Sequence, residues 1–170
     1  MLGIIAYGSL INPQEIKNQR ECSCHAVPIR LETFKRSFTQ QPAWRDNSGT
    51  HSAVLNAQTS EQNWLNAICF CYPEFDFKTL DKRERGYSRT SVTVDKINSY
   101  RGHHLPKLKE VFIYLGKKDY RNDNLLPNPD YLNICTVGAK TWGENFYRDF
   151  LNTTYINSGI LLRDYLSTAK

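Results

Sequence analysis

No stretch of this sequence is long and apolar enough to span a bilayer. The first residues, Met1-Leu2-Gly3-Ile4-Ile5-Ala6, lack the basic start and long apolar region of a signal peptide. Both absences predict a cytoplasmic protein with no membrane partner. The five cysteines are an odd number, which argues against a closed disulfide framework and for a reducing compartment. Cys22/Cys24 and Cys69/Cys71 are each spaced C-x-C, and with His25 and Cys135 they raise the question of a metal site. Cys69 and Cys71 lie in an alternating apolar run, however, and read as small hydrophobes packed in a core. No metal and no cofactor are expected. There is also no basic stretch with interleaved aromatics. The net charge of +5 is spread along the chain, which suits a small anionic ligand and gives little support to nucleic acid. Repeats, low-complexity segments and linkers are lacking as well.

What is present is an ordinary globular composition. Of the 170 residues 40% are hydrophobic and 23% charged, and ten Tyr and eight Phe argue against disorder. The length predicts one domain, 1–170, able to bury a real core. Gly3 to Ala6 reads as a buried strand ending at Gly8-Ser9, and Asn12-Pro13-Gln14-Glu15 as a helix start with Asn12 as N-cap. Val27 to Phe38 is strand-like, Gln40 to Thr50 a loop. Ala53 to Ala57 and Trp64 to Tyr72 read as two strands joined at 58–63 as a hairpin. A helix is expected from Glu74 to Glu84, stopped by Gly86, followed by strands at Tyr87 to Ile97 and Glu110 to Leu115. After a surface loop at Asp119 to Pro129 come helices at Asp130 to Lys140 and Glu144 to Leu151. Ser158 is placed to cap a last helix running through Leu166. Strands in the middle and helices at the end predict an α+β domain: a small mixed β-barrel or curved sheet with flanking helices.

Two segments carry chemistry. In Leu80-Asp81-Lys82-Arg83-Glu84-Arg85-Gly86-Tyr87, Glu84 continues the helical stripe of Phe77 and Leu80. It therefore points toward a core or cavity, although its basic neighbours also fit a solvated face. A carboxylate at a helix C-terminus and partly buried has reason to hold a proton more readily than usual. Asp81, three residues earlier on nearly the same face, reads as a structural residue, pairing with a nearby Lys or bonding to a backbone N–H, or as a second carboxylate in the site. The other segment is Tyr7-Gly8-Ser9-Leu10, where a glycine directly after a buried strand permits a tight turn and close approach of a ligand. Its backbone N–H groups and the Ser9 hydroxyl suit a carboxylate or a developing oxyanion. A plain strand-to-helix connection with Tyr7 in the core is the alternative. Tyr87 is placed either to donate to a ligand or to pack, Arg89 to bind a carboxylate or lie on the surface. His103-His104 read as a solvated loop.

Taken together, Tyr7-Gly8-Ser9-Leu10 and Leu80-Asp81-x-x-Glu84 with Gly86-Tyr87 resemble the γ-glutamylcyclotransferase-like superfamily. The resemblance spans roughly Ile4 to Leu151. It implies a small barrel with flanking helices, no metal, and a γ-glutamyl ligand held by the turn through Tyr7, Gly8, Ser9 and Leu10, with Tyr87 nearby. It also implies that Glu84 moves the protons in an internal cyclisation that yields 5-oxoproline and a free amine. Tyr-Gly-Ser-Leu is the form found in the glutathione-specific branch, yet the two residues between Glu84 and Tyr87 are fewer than that branch has, so the substrate stays open. The competing reading is a non-catalytic protein that binds a γ-glutamyl compound or another small anionic metabolite. Neither the sequence nor the resemblance indicates an oligomeric state.

Overall fold

The computed structural model describes residues 1–17, 25–42, 52–100, 102–157 and 159–168. Among them are nine strands: β1 (Leu2–Ala6), β2 (His25–Gln40), β3 (Ser52–Tyr72), β4 (Tyr87–Ser91), β5 (Ile97–Ser99), β6 (Glu110–Gly116), β7 (Leu126–Pro127), β8 (Thr154–Ile156) and β9 (Ile160–Leu161). Five α-helices accompany them: α1 (Pro13–Lys17), α2 (Lys78–Arg83), α3 (Pro129–Thr141), α4 (Glu144–Thr153) and α5 (Leu162–Thr168). The expected α+β class is met as a curved sheet that does not close. Its strand order is β4-β6-β1-β3-β2-β8-β9, with β5 added on β2 and β7 on β3.

The apolar sequence of β1 explains its central place. Ile4, Ile5 and Ala6 are consecutive and all buried, so both faces of the strand must be covered. β1 lies antiparallel to β3 and parallel to β6. The run Leu65 to Cys71 in β3 is buried at every position, Cys69 and Cys71 included, so the C-x-C pair packs as hydrophobes. Amphipathic α4 sets Phe146 and Phe150 into the core. Helix α3 starts cleanly because Asn128 caps it, accepting the Tyr131 N–H at 2.9 Å, with Pro129 in the first turn. No helix among the described residues is long and apolar enough to cross a membrane.

Four expectations change. The segments Ala53 to Ala57 and Trp64 to Tyr72 do not form a hairpin; they are one continuous strand, β3. Both pair with β2, which is long enough to run beside them. The register jumps from Glu32↔Trp64 to Phe34↔Thr59, so residues 60–63 bulge out of the ladder opposite Thr33, whose φ is 63°. The polar composition that suggested a turn belongs to this bulge, where Ser60 Oγ donates to Asn63 Oδ1 at 2.7 Å. Helix α2 starts at Lys78 rather than Glu74, because the Asp76 carboxylate accepts the Lys78 N–H at 3.0 Å and sets the start there. The Tyr87 to Ile97 strand breaks after Ser91 into a 3-10 turn, Val94–Lys96, before β5. The last helix begins at Leu162, after the short β9. Cys22, Cys24, most of the Gln40 to Thr50 loop and Ser158 lie outside the described residues.

Candidate functional site

The first wall of the site grows from the end of β1. The chain leaves the sheet at Tyr7, and Ser9–Ile11 forms a 3-10 turn closed by Ile11 N–H to Gly8 O and Asn12 N–H to Ser9 O, both 3.0 Å. Asn12 then caps α1 as expected, its Oδ1 accepting the Gln14 N–H at 3.0 Å. Helix α3 clamps this turn from outside. Asn12 Nδ2 donates to Ile134 O at 3.3 Å, and Trp142 Nε1 to Ile11 O at 2.7 Å. Ser9 N–H donates to Tyr131 Oη at 3.3 Å, so this donor is already engaged with a side-chain hydroxyl. Tyr7 is buried, and its hydroxyl donates to Tyr114 O of β6 at 2.5 Å.

The second wall is the end of α2. Glu84 follows the last helical residue, its N–H bonding Leu80 O at 2.8 Å, and Tyr87 N–H returns to Glu84 O at 2.7 Å. Glu84 and Leu80 share a side, as their spacing requires, and both face the same cleft. The Glu84 side chain is 18% exposed and paired with Arg83, Nε to Oε1 at 3.3 Å. Asp81 is a structural partner. It accepts the Tyr114 hydroxyl at 2.5 Å and pairs with Arg89 at 3.2 Å, while Arg89 also stacks on the Phe77 ring at 3.9 Å. Arg89 is thereby occupied on the outer side of α2. Tyr87 donates its hydroxyl to Leu55 O at 2.9 Å.

Between the walls lies a small cleft of about 60 Å³ with an open mouth. All six residues singled out from sequence, Tyr7, Gly8, Ser9, Leu10, Glu84 and Tyr87, line it. Sequence reasoning missed Leu55, Tyr114 and Tyr131, which line it too. The cleft contains a group of protonated phenols. Burial, with the Glu84 charge adding to it, pushes Tyr7 far above its ordinary pKa. Burial also lifts Tyr87 and Tyr131, and Glu84 again contributes to each. One carboxylate thus acts electrostatically on three buried hydroxyls, all retained as donors at neutral pH.

The backbone is similar over nearly its whole length to known structures. A γ-glutamyl cyclotransferase superposes with a TM-score of 0.66 over 98% of this chain and 98% of that one, at 19% identity. A human protein described as uncharacterized gives a TM-score of 0.67 over 97% of each chain at 20% identity. The chain has the γ-glutamylcyclotransferase-like fold. A yeast γ-glutamyl cyclotransferase specific to glutathione shares it more loosely, with a TM-score of 0.51, 15% identity, and 81% of this chain covering 77% of that one. No family model matches the sequence, and no curated protein matches it significantly.

Within this γ-glutamylcyclotransferase-like fold the cleft opens where β1 ends, beside its neighbours β3 and β6. The missed residues come from those neighbours and from α3: Leu55 from β3, Tyr114 from β6, Tyr131 from α3. Tyr131 had a legible signal, being the first aromatic after a well-made helix start. Nothing local marked it as a partner of Ser9, 122 positions away. Gly8 is explained by the same tyrosine: a Cβ there would sit 2.6 Å from Tyr131 Oη. Among the described residues no group of three or more His, Cys, Asp or Glu side chains is placed to hold a metal ion. His103 and His104 are exposed and do not line the cleft.

Proposed function

We propose that this protein is a γ-glutamylcyclotransferase-type enzyme that converts a γ-glutamyl peptide or amine to 5-oxoproline and the free amine. The observation that carries the reading is the shared cleft: Glu84 and the Tyr7–Leu10 turn, from distant parts of the chain, line one small cleft open to solvent. The Glu84 carboxylate takes a proton from the ligand's α-ammonium. The freed amine attacks the side-chain carbonyl of the same molecule, forming the new C–N bond of a five-membered lactam. The old C–N bond breaks as Glu84 returns its proton to the departing amine, and the second proton of the ring nitrogen passes to that amine, which leaves as an ammonium. The nucleophile belongs to the substrate, so no activated Ser or Cys is needed, and folding the ligand for attack supplies much of the rate. A placed carboxylate contributes roughly 10²–10⁴-fold as acid–base catalyst. Backbone N–H groups of the turn suit the ligand's carboxylate or the oxyanion of the tetrahedral intermediate. The buried thiols of Cys69, Cys71 and Cys135, none of them in a disulfide, fit a cytoplasmic setting.

A second reading has one observation in its favour. The Arg83–Glu84 ion pair occupies the carboxylate that must accept a proton, and a binding protein for a γ-glutamyl or other small anionic metabolite would tolerate that lock. The test measures 5-oxoproline release from glutathione, γ-glutamyl dipeptides and γ-glutamyl amines, with wild type beside Glu84→Gln. Release by wild type that drops at least ~100-fold in Glu84→Gln is the expected result. Undiminished release in Glu84→Gln removes Glu84 from the mechanism. Binding of these compounds without release by the wild type selects the binding protein.

A further inference from the structure

Arg36 sits in the middle of β2 with no exposure at all. Arginine is seldom fully buried unless paired with an acid. This guanidinium donates instead to a cage of neutral acceptors. Nε reaches Thr154 Oγ1 at 2.8 Å. Nη1 reaches Asn66 O at 2.7 Å and Tyr7 O at 3.3 Å. Nη2 reaches Asn66 Oδ1 at 2.7 Å, Thr153 Oγ1 at 3.2 Å and Phe150 O at 3.4 Å. None of these six acceptors is a carboxylate. Burial pushes its pKa down to about 9, which leaves it charged at neutral pH.

One acceptor in the cage belongs to the cleft: the carbonyl of Tyr7. There is no cis peptide among the described residues, so in the Tyr7–Gly8 peptide the Gly8 N–H points opposite to the Tyr7 C=O. Arg36 holds the oxygen from the interior, and Gly8 lines the cleft on the other side. A charged donor on the oxygen polarises the peptide and strengthens its N–H as a donor. The same positive charge acts on the Tyr7 and Tyr131 hydroxyls, which line the cleft as well.

We propose that Arg36 is a positioning residue that fixes the Tyr7–Gly8 peptide with its N–H presented to the cleft and gives the cleft its preference for a carboxylate ligand. The inference rests on the cleft being the ligand site, as proposed above, but not on turnover there. The test is calorimetric titration of the full chain with 5-oxoproline and glutarate against their neutral amides, for wild type, Arg36→Lys and Arg36→Gln. Wild type is expected to favour acid over amide by roughly tenfold or more, the contribution of one charge-assisted hydrogen bond. Arg36→Gln brings the two within about twofold and leaves amide binding nearly unchanged; Arg36→Lys, which keeps the charge but not the planar fork, falls between. A purely structural role would weaken acid and amide alike. If Arg36→Gln does not fold, Arg36→Met with Asn66→Leu removes the cation together with one of its six acceptors and is read in the same way. A folded variant without the cation that keeps the acid preference overturns the proposal, as does a wild type that binds acid no better than amide. Failure of 5-oxoproline release leaves this preference measurable, so the two ideas fail separately.

Discussion

Gly8→Ala tests the closest approach in the cleft. Gly8 has φ −115°, outside the left-handed region. The added methyl would lie 2.6 Å from Tyr131 Oη, and the next atoms, Leu55 Cβ and Tyr131 Cζ, are both at 3.8 Å, an ordinary contact. The whole cost therefore falls on one hydroxyl. Overpacking of this kind costs about 1–3 kcal/mol, and for a chain of this size each kcal/mol moves Tm by about 2–4 °C, so a fall of about 2–12 °C is expected. Tyr131→Phe removes the clashing atom at the loss of the Ser9 N–H acceptor, about 1 kcal/mol. In that background Gly8→Ala should cost under about 0.5 kcal/mol, the margin within which independent changes add. Thermal and urea unfolding of the four proteins closes the cycle. If Gly8→Ala costs as much in the Tyr131→Phe background as in the wild type, the hydroxyl is not what requires a glycine, and the account of this wall is wrong.

Gly138→Ala should also destabilise, although it sits inside α3: the new Cβ would meet the N, Cα and Cβ of Asn12 at 2.7 Å, and this is mostly backbone that cannot swing away. The gain of roughly 1 kcal/mol in helix propensity is outweighed by overpacking of up to about 3 kcal/mol, and a lowered Tm is the readout. Alkaline pH gives a second check. Tyr7, Tyr87 and Tyr131 have raised folded pKa values, so the folded state holds protons that the unfolded chain releases near ~10. Their stabilisation is full below about pH 10 and is lost as pH rises beyond it. Ultraviolet titration should show these phenols ionising only with unfolding, and reversible ionisation in the folded protein would refute their enclosure.

What the sequence made legible follows the range of the interactions. β1, α3 and α4 were readable because local patterning sets them: a short apolar run, an Asn-Pro start, aromatics at helical spacing. The continuity of β3 was not, because whether 58–63 turns back or bulges depends on the length of β2 alongside it, which no local residue reports. Arg36 shows a signal that was present and unused. Lys35-Arg36 looks like a surface pair, but alternation along the strand puts Arg36 on the same face as Phe34 and Phe38, both buried. The polar cage that makes this tolerable comes from Asn66, Thr153 and Thr154, between 30 and 118 positions away. Tyr114 was read only as strand, since its role is defined by partners in β1 and α2.

The placement of Glu84 shows why one half of the site could be guessed and the other could not. The spacing of Leu80 and Glu84 correctly gave the side of α2 on which the carboxylate lies. Yet α2 has six residues and buries none of them, and a helix that short does not hold itself in water. Its position comes from the sheet. Asp81 is held by the Tyr114 hydroxyl and Arg89, and just past the helix Gly86 O accepts from Gln40 Nε2 at 2.9 Å and from the Lys117 N–H at 3.0 Å. Tyr114 also ties the other wall, because its carbonyl accepts the Tyr7 hydroxyl. Tyr114 of β6 therefore links the helix that carries Glu84 to the Tyr7–Leu10 turn. The distance across the cleft, the quantity that any proton transfer between Glu84 and a ligand on that turn requires, thus depends in part on a strand whose own sequence contains no catalytic motif.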